Sequence, residues 1–365
     1  MENYLKNYLL MERYLKLESS TKKKIMSFFQ SYSKIQWHYI RDNLQHFGIG
    51  VDVALPGMAN CQMIMEKCRE EMARMRQLGV ESIDPLSIYY PETLQHYRPP
   101  VKMLFAKGNK ALVNTQGNVA IVGSRKPTAY GRKVAYDLGV FMANNNRCVV
   151  SGMALGVDAQ AHQGALDAKG QTVAVLASGI NVPYPSTNAK LYKEIYDHEG
   201  LILSEQFLDD PARNYHFPLR NRIISAISDA VIVIEAGEKS GSLITASHAL
   251  EQGKTIFALP GSIHSPQSKG CNQLIHQGAT PLIDFNHILE AMGYARNANQ
   301  NKRDTSNLSE VASRIYILME ENKRMSLDEI NCVLKLEFSE IISAVSELIL
   351  DDLCEYCTLN EIMII

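Results

Sequence analysis

Six short runs of almost unbroken apolar residues constrain this chain more than anything else in it. They fall at 119–123, 148–151, 172–177, 201–204, 230–236 and 255–260, with Val, Ile, Leu and Ala at nearly every position. A strand with one wet face alternates polar and apolar residues, so runs of this kind belong to strands covered on both faces. Helical patterns separate them, at about 131–144, 158–169, 188–198, 218–228 and 242–252. Strands and helices in alternation predict a doubly wound, mostly parallel α/β sheet. A further strand is expected at Met103–Ala106, after a segment from Asp84 that Tyr90-Pro91 and Pro99-Pro100 punctuate.

The flanks have a different texture. Residues 1–83 read as helices: Leu5, Leu9, Leu10, Tyr14 and Leu17 recur at helical spacing, as do Met63, Met65, Cys68, Met72, Met75 and Leu78. Leu55-Pro56-Gly57 is compatible with a helix–hairpin–helix that holds a DNA backbone, or with a plain turn in a helical bundle. The polar stretch 295–306 has no apolar period and reads as a linker between a sheet domain (84–294) and a last domain (307–365). In that domain three amphipathic helices precede an alternating segment from Leu353 to Ile365, the winged-helix pattern. Its would-be recognition helix, 338–350, carries Glu340 and Glu347 and no Lys or Arg, which favours protein contact or dimerisation over reading DNA.

Charge restricts function further. The formal net charge is −2, so any site for a polyanion must be local. Seven basic residues and no acidic one lie between Lys102 and Tyr136. The seven cysteines are odd in number and scattered, as expected of reduced thiols, and Cys354/Cys357 form a lone CxxC without further metal ligands. Charged residues interrupt the apolar pattern of the first helix, and no apolar run approaches the ~20 residues of a membrane span. A cytoplasmic protein is expected.

In a doubly wound sheet, ligands bind at the carboxyl ends of the strands. After the first run come Gly123, Ser124, Arg125 and Lys126, a strand–glycine–helix transition suited to a phosphate. After the second comes Ser151-Gly152-Met153-Ala154-Leu155-Gly156-Val157-Asp158, where Gly152 permits close approach and Asp158 is placed to cap the next helix. The third loop holds Gly179, Asn181, Tyr184, Pro185 and Asn188. The fourth carries Arg213, His216, Phe217, Arg220, Asn221 and Arg222, with no carboxylate between Asp210 and Asp229. Arginines beside aromatic rings suit a single strand, whose phosphates they neutralise while a ring stacks a base. The other reading of Arg220 and Arg222 is internal ion pairing on a helix face. After the fifth run, Ser240, Gly241, Ser242 and Thr245 open a helix with small residues, again suited to an anion. Other chemistries lack their patterns: GxGxxG, GxxxxGK[ST], HExxH and GxSxG are all absent. Neither a catalytic nucleophile–base pair nor a metal or cofactor site is expected.

These motifs together resemble the DNA-processing protein A (DprA/Smf) family. The likeness is carried by Gly123-Ser124-Arg125, the segment from Ser151 to Leu166, Tyr184-Pro185, His216-Phe217-Pro218-x-Arg220-Asn221-Arg222, Ser240 to Ala246, Pro260-Gly261 and Asn272 to Ala279, in order from about Asp84 to Ile283. The resemblance implies an extended Rossmann-like domain that binds single-stranded DNA without catalysis. It also implies a homodimer, and protection and delivery of the strand to the RecA recombinase during natural transformation. Ser124 and Arg125 would then hold a phosphate, Phe217 would stack on a base, and Arg220 and Arg222 would hold the loop or the backbone. Leu155, Ser186 and Asn214 stand where family members often have basic residues, so a less basic site is expected. The competing expectations are a phosphoribohydrolase that cleaves nucleotides and a nucleotide sensor on a related fold.

Overall fold

The computed structural model describes residues 2–50, 53–97, 99–294, 308–351, 353–358 and 360–364. Two compact units divide the chain, Met1–Ala295 and Arg296–Ile365. The linker expected at 295–306 lies outside the described residues.

The first unit begins with helices α1 (Glu2–Leu9), α2 (Ser19–Phe29), α3 (Trp37–Asp42), α4 (Leu44–Phe47) and α5 (Gln62–Gln77). A nine-stranded sheet follows: β1 (Val80–Ile83), β2 (Leu104–Gly108), β3 (Val119–Gly123), β4 (Val149–Ser151), β5 (Thr172–Leu176), β6 (Leu201–Ser204), β7 (Ala230–Ile234), β8 (Thr255–Ala258) and β9 (Thr280–Pro281). Helices α6 (Ala129–Asn144), α7 (Val157–Asp167), α8 (Ala189–Asp197), α9 (His216–Ala226), α10 (Gly241–Glu251), α11 (Lys269–His276) and α12 (Asn286–Ala291) connect and cover the strands. The strand order is β1-β2-β6-β5-β4-β3-β7-β8-β9; the core from β6 to β9 is parallel, and β1 and β2 add an antiparallel edge. The expected mostly parallel, doubly wound sheet is the one observed. Val119, Ile121, Ile232 and Ile234 pack on one face against α6 and α7, while Ala120, Val122, Val231 and Val233 pack on the other among residues of α9 and α10.

The chain runs outward from β3 through β4, β5 and β6, then returns to add β7 on the other side of β3. This reversal creates a topological switch point between β3 and β7, where a doubly wound sheet opens a crevice. A Cβ on Gly123 would lie 1.8 Å from the Ile234 carbonyl oxygen, so only glycine lets β3 end this close to β7.

The N-terminal helices are not set apart from the sheet. Val80–Ile83, expected to be helical, is a strand because it adds to the edge of β2. Leu9, Ile25, Phe47 and Met75 share one apolar core with Phe105, Leu176 and Ile202. Polar contacts reinforce that core: Glu12 pairs with both Lys22 and Lys102, and Arg13 pairs with Glu71 and Asp210.

In the second unit, α13 (Glu310–Asn322), β10 (Arg324–Ser326), α14 (Leu327–Leu334), α15 (Phe338–Leu350), β11 (Cys354–Thr358) and β12 (Glu361–Ile364) surround a core that includes Ile315, Ile330, Val345 and Ile362. The strands pair antiparallel in the order β10-β12-β11. Cys354 is buried and Cys357 exposed on β11, and both are free thiols.

Candidate nucleic-acid interface

At the switch point lies a cleft of about 310 Å³. Gly123 and Arg125 line it from the end of β3, Phe217, Arg220 and Asn221 from the first turns of α9, and Ser240, Gly241, Ser242 and Thr245 from the start of α10. A smaller hollow of about 60 Å³ adjoins it, where Gly152, Leu155 and Tyr184 meet Arg125 and Phe217.

The cationic and aromatic groups are adjacent. The exposed Arg125 guanidinium lies over the Phe217 ring, 4.9 Å from its centroid. Tyr184 packs on Phe217 at 5.7 Å between centroids. Tyr184 was visible in the sequence as a loop residue, but nothing there showed that it meets Phe217 across the cleft.

Beneath this pair, Arg220 is buried and fixed. Its Nη1 donates to the carbonyls of Gly152 and Val175, and its Nε to Asn221 Oδ1 at 3.1 Å. Asn221 in turn donates from Nδ2 to the Gly241 carbonyl at 3.1 Å, tying α9 to the start of α10. A Cβ on Gly152 would meet the Arg220 guanidinium at 2.5 Å, so this glycine makes room for the arginine. Burial lowers the Arg220 pKa to about 10, and the nearby Asp158 charge opposes the shift. Asp158 does not cap α7 as expected. It is buried, and its Oδ2 accepts from the N–H groups of Gly152 and Ala154 at 3.1 and 3.3 Å, holding the preceding loop. Burial raises its carboxyl pKa, with Arg220 and the two N–H groups acting against the rise.

The structure sets several expected residues apart from this cleft. His216 and Phe217, read as part of a loop, belong to the first turn of α9, so the residues after them distribute around a helix. Two positions along a helix turn about 200°, which sends Arg220 and Arg222 to opposite sides. Arg222 is 3% exposed; its Nη2 donates to both carboxylate oxygens of Glu205 at 2.7 Å, its Nε to the Leu219 carbonyl and its Nη1 to the Pro99 carbonyl. It is an internal ion pair. Arg213 and His216 line a separate cleft of about 410 Å³ that contains Glu12, Lys102 and Asp210. There Arg213 donates to the Tyr215 hydroxyl at 3.2 Å, and the buried His216, its pKa lowered by desolvation, bonds the Ala177 carbonyl through Nδ1 at 3.0 Å.

The first glycine turn also differs from expectation. Ser124 folds into its own turn: its Oγ accepts from Lys126 N at 3.1 Å and its carbonyl accepts from Val157 N. Lys126 is exposed beside it. The start of α6, where the sequence placed a phosphate, is occupied by the protein itself. The buried Glu235 carboxylate accepts from Thr128 N at 2.7 Å and from Thr128 Oγ1 at 2.5 Å. Glu235 has φ +51°, and a Cβ on Gly131 would fall 2.5 Å from its carboxylate. The sequence signal was a lone acid at the end of the run 230–236. With α6 closed, the helix start facing the cleft is that of α10, where Ser240 is the N-cap and accepts from Ser242 N.

The profile of the family described as DNA recombination-mediator protein A matches residues 82–293. The chain belongs to the DNA-processing protein A (DprA/Smf) family. It is 40% identical to DNA processing protein DprA of Bacillus subtilis over 60% of this chain and 74% of that one. It is also 42% identical to DprA of Streptococcus pneumoniae over 55% of this chain and 70% of that one. Among solved structures, S. pneumoniae DprA aligns with a TM-score of 0.61 at 30% identity, covering 78% of this chain and 97% of that one. DprA of Helicobacter pylori, solved for its single-stranded DNA binding mode, aligns with a TM-score of 0.54 at 32% identity, covering 59% of this chain and 97% of that one. All the cleft residues fall within the DprA/Smf match.

Proposed function

We propose that this chain binds single-stranded DNA at the switch-point cleft, without catalysis, and serves DNA processing in recombination or natural transformation. The observation that carries the reading is the Arg125 guanidinium resting on Phe217 at the mouth of the cleft. An exposed cation–π contact is worth roughly 0.5–1 kcal/mol, whereas a base stacked on an aromatic ring is worth about 1–3 kcal/mol. An incoming base therefore displaces Arg125 from Phe217 at a net gain and frees the guanidinium for the flanking phosphate. The start of α10 faces the same space and favours a second phosphate. Family membership and the H. pylori relative support the same ligand. Cleavage of nucleotides is disfavoured, because the cleft's Asp158 is buried and committed to two backbone N–H groups.

The same reading includes a homodimer that protects the bound strand and passes it to RecA in the cytoplasm. The second unit, with three helices and a small antiparallel sheet, fits a winged helix serving protein contacts. Titration of labelled oligo-dT and matched duplex across a salt series tests the central claim. The expected outcome is clear preference for the single strand, with log affinity falling linearly in log salt. Equal binding to both forms overturns it.

A further inference from the structure

We propose that the N-terminal helices carry a second contact for single-stranded nucleic acid: a stacking platform of Phe28 and Tyr39, edged by Lys24 and His46. The inference rests on the reading of the chain as a strand-binding protein, and extends the bound strand beyond the switch-point cleft.

Phe28 is 48% exposed and Tyr39 38% exposed, although a buried core that includes Ile25, Phe29 and Phe47 lies within the same helices. The two outward rings are stacked, with centroids 5.3 Å apart and planes 20° from parallel. His46 and Phe47 brace Phe28 edge-on at 5.9 and 5.7 Å. Helical geometry explains the arrangement: Thr21, Ile25 and Phe29 form the buried stripe of α2, while Lys24 and Phe28, four residues apart, share its wet side.

The surroundings are cationic. Residues 19–50 hold five Lys and Arg and a single carboxylate, Asp42, in a chain whose net charge is −2. Lys22 pairs with Glu12 and Arg41 with Asp42. Lys23 and Lys24 are exposed and form no ion pair among the described residues. The Lys24 ammonium reaches over Gly48, 3.3 Å from where a Cβ there would lie, at the C-terminal end of the helix that carries His46 and Phe47.

Charge identifies the occupant. Protein-binding surfaces are depleted in lysine at their centres, whereas sequence-tolerant sites for single strands combine stacked aromatic rings with basic neighbours. A duplex presents no free base faces to such a platform, so the ligand is a single strand.

The test uses the full chain with Phe28→Trp as an optical probe. Trp37 is the sole native tryptophan and is 9% exposed, so it contributes a nearly constant background. Oligo-dT is expected to quench the introduced indole, and matched duplex is not. The double variant Lys23→Glu/Lys24→Glu, confined to exposed positions, separates the two contacts. For oligomers of about 10 nucleotides it should bind like the parent, and for about 40 nucleotides it should lose roughly tenfold. Repeating the quenching in an Arg125→Ala/Phe217→Ala background distinguishes the two readings. Quenching that persists there at higher oligomer concentration supports the platform whatever becomes of the cleft. Binding of oligo-dT without quenching, or equal loss at both lengths in the lysine variant, overturns the platform and leaves the cleft reading standing.

Discussion

Arg125 and Arg222 are chemically identical and stand in opposite environments. Arg222 is enclosed with Glu205, whose carboxyl pKa burial raises against the pull of the arginine. Arg222→Ala strands that carboxylate, and breaking a buried pair from one side costs about 3–5 kcal/mol. Urea unfolding should show a loss of that size, while oligo-dT affinity of the folded protein stays within about twofold. Arg125→Ala should do the reverse. Stability holds, affinity falls about equally for every oligonucleotide sequence, and the salt slope drops by about one. A sequence-selective loss would instead assign Arg125 to base reading. Leu155 offers a gain of function. It is 45% exposed in the hollow beside Arg125, Tyr184 and Phe217, where the sequence led us to expect a less basic rim. Leu155→Lys should tighten binding and steepen the salt slope by about one; an unchanged slope places the strand elsewhere.

At the scale of elements, the strands and helices of the sheet were legible because apolar runs and helical periods survive in any doubly wound fold. Strand β3 falls on the run 119–123, and α10 lies within a residue of its expected limits. Two features were not legible. The helix expected at 218–228 already held Arg220 and Arg222; its first turn, with a proline and ring-bearing residues, locally resembles a loop, so the start at His216 stayed hidden, as did the carboxylate of Glu205 that engages Arg222. The closure of α6 by Glu235 depends on a contact 107 positions away in the chain, which no local pattern reports. A contact of shorter range joins α7 to β5 and has a consequence for pH. Thr172 Oγ1 donates to the Val149 carbonyl, so His162 Nδ1 is the donor toward Thr172, and the buried Nε2 has no partner among the described residues. Burial, helped by the Arg220 charge, pulls the His162 pKa from 6.5 to about 3. Between those values the unfolded chain binds a proton that the folded protein refuses, so stability falls as pH drops below 6.5. From pH 7 to 5 the loss from this residue is about 2 kcal/mol. Buried carboxyls with raised pKa, such as Asp158 and Glu205, act in the opposite direction, so the comparison must be made against a variant. Thermal melts of His162→Gln should depend less steeply on pH than the parent over this range. Parallel profiles would mean that the histidine is protonated in the fold.

The whole molecule divides its charge unevenly. Residues 307–365 contain twelve carboxylates and four Lys or Arg, a net −8; with −2 for the chain, residues 1–306 carry +6. Every residue lining the switch-point cleft lies between Val122 and Thr245, on the positive side of that division. In the acidic part, α15 presents no cation to a groove. Its Glu347 is already engaged by the backbone N–H and hydroxyl of Ser309, the N-cap of α13. A polyanion gains nothing electrostatic from this unit and meets mild repulsion that salt screens. The unit has a core of its own, so removing residues 307–365 does not open the core of the first. The deletion should leave oligo-dT affinity unchanged or slightly higher at low salt, converging with the full chain as salt rises. Loss of most affinity on deletion would move the strand to the small unit and reverse this account.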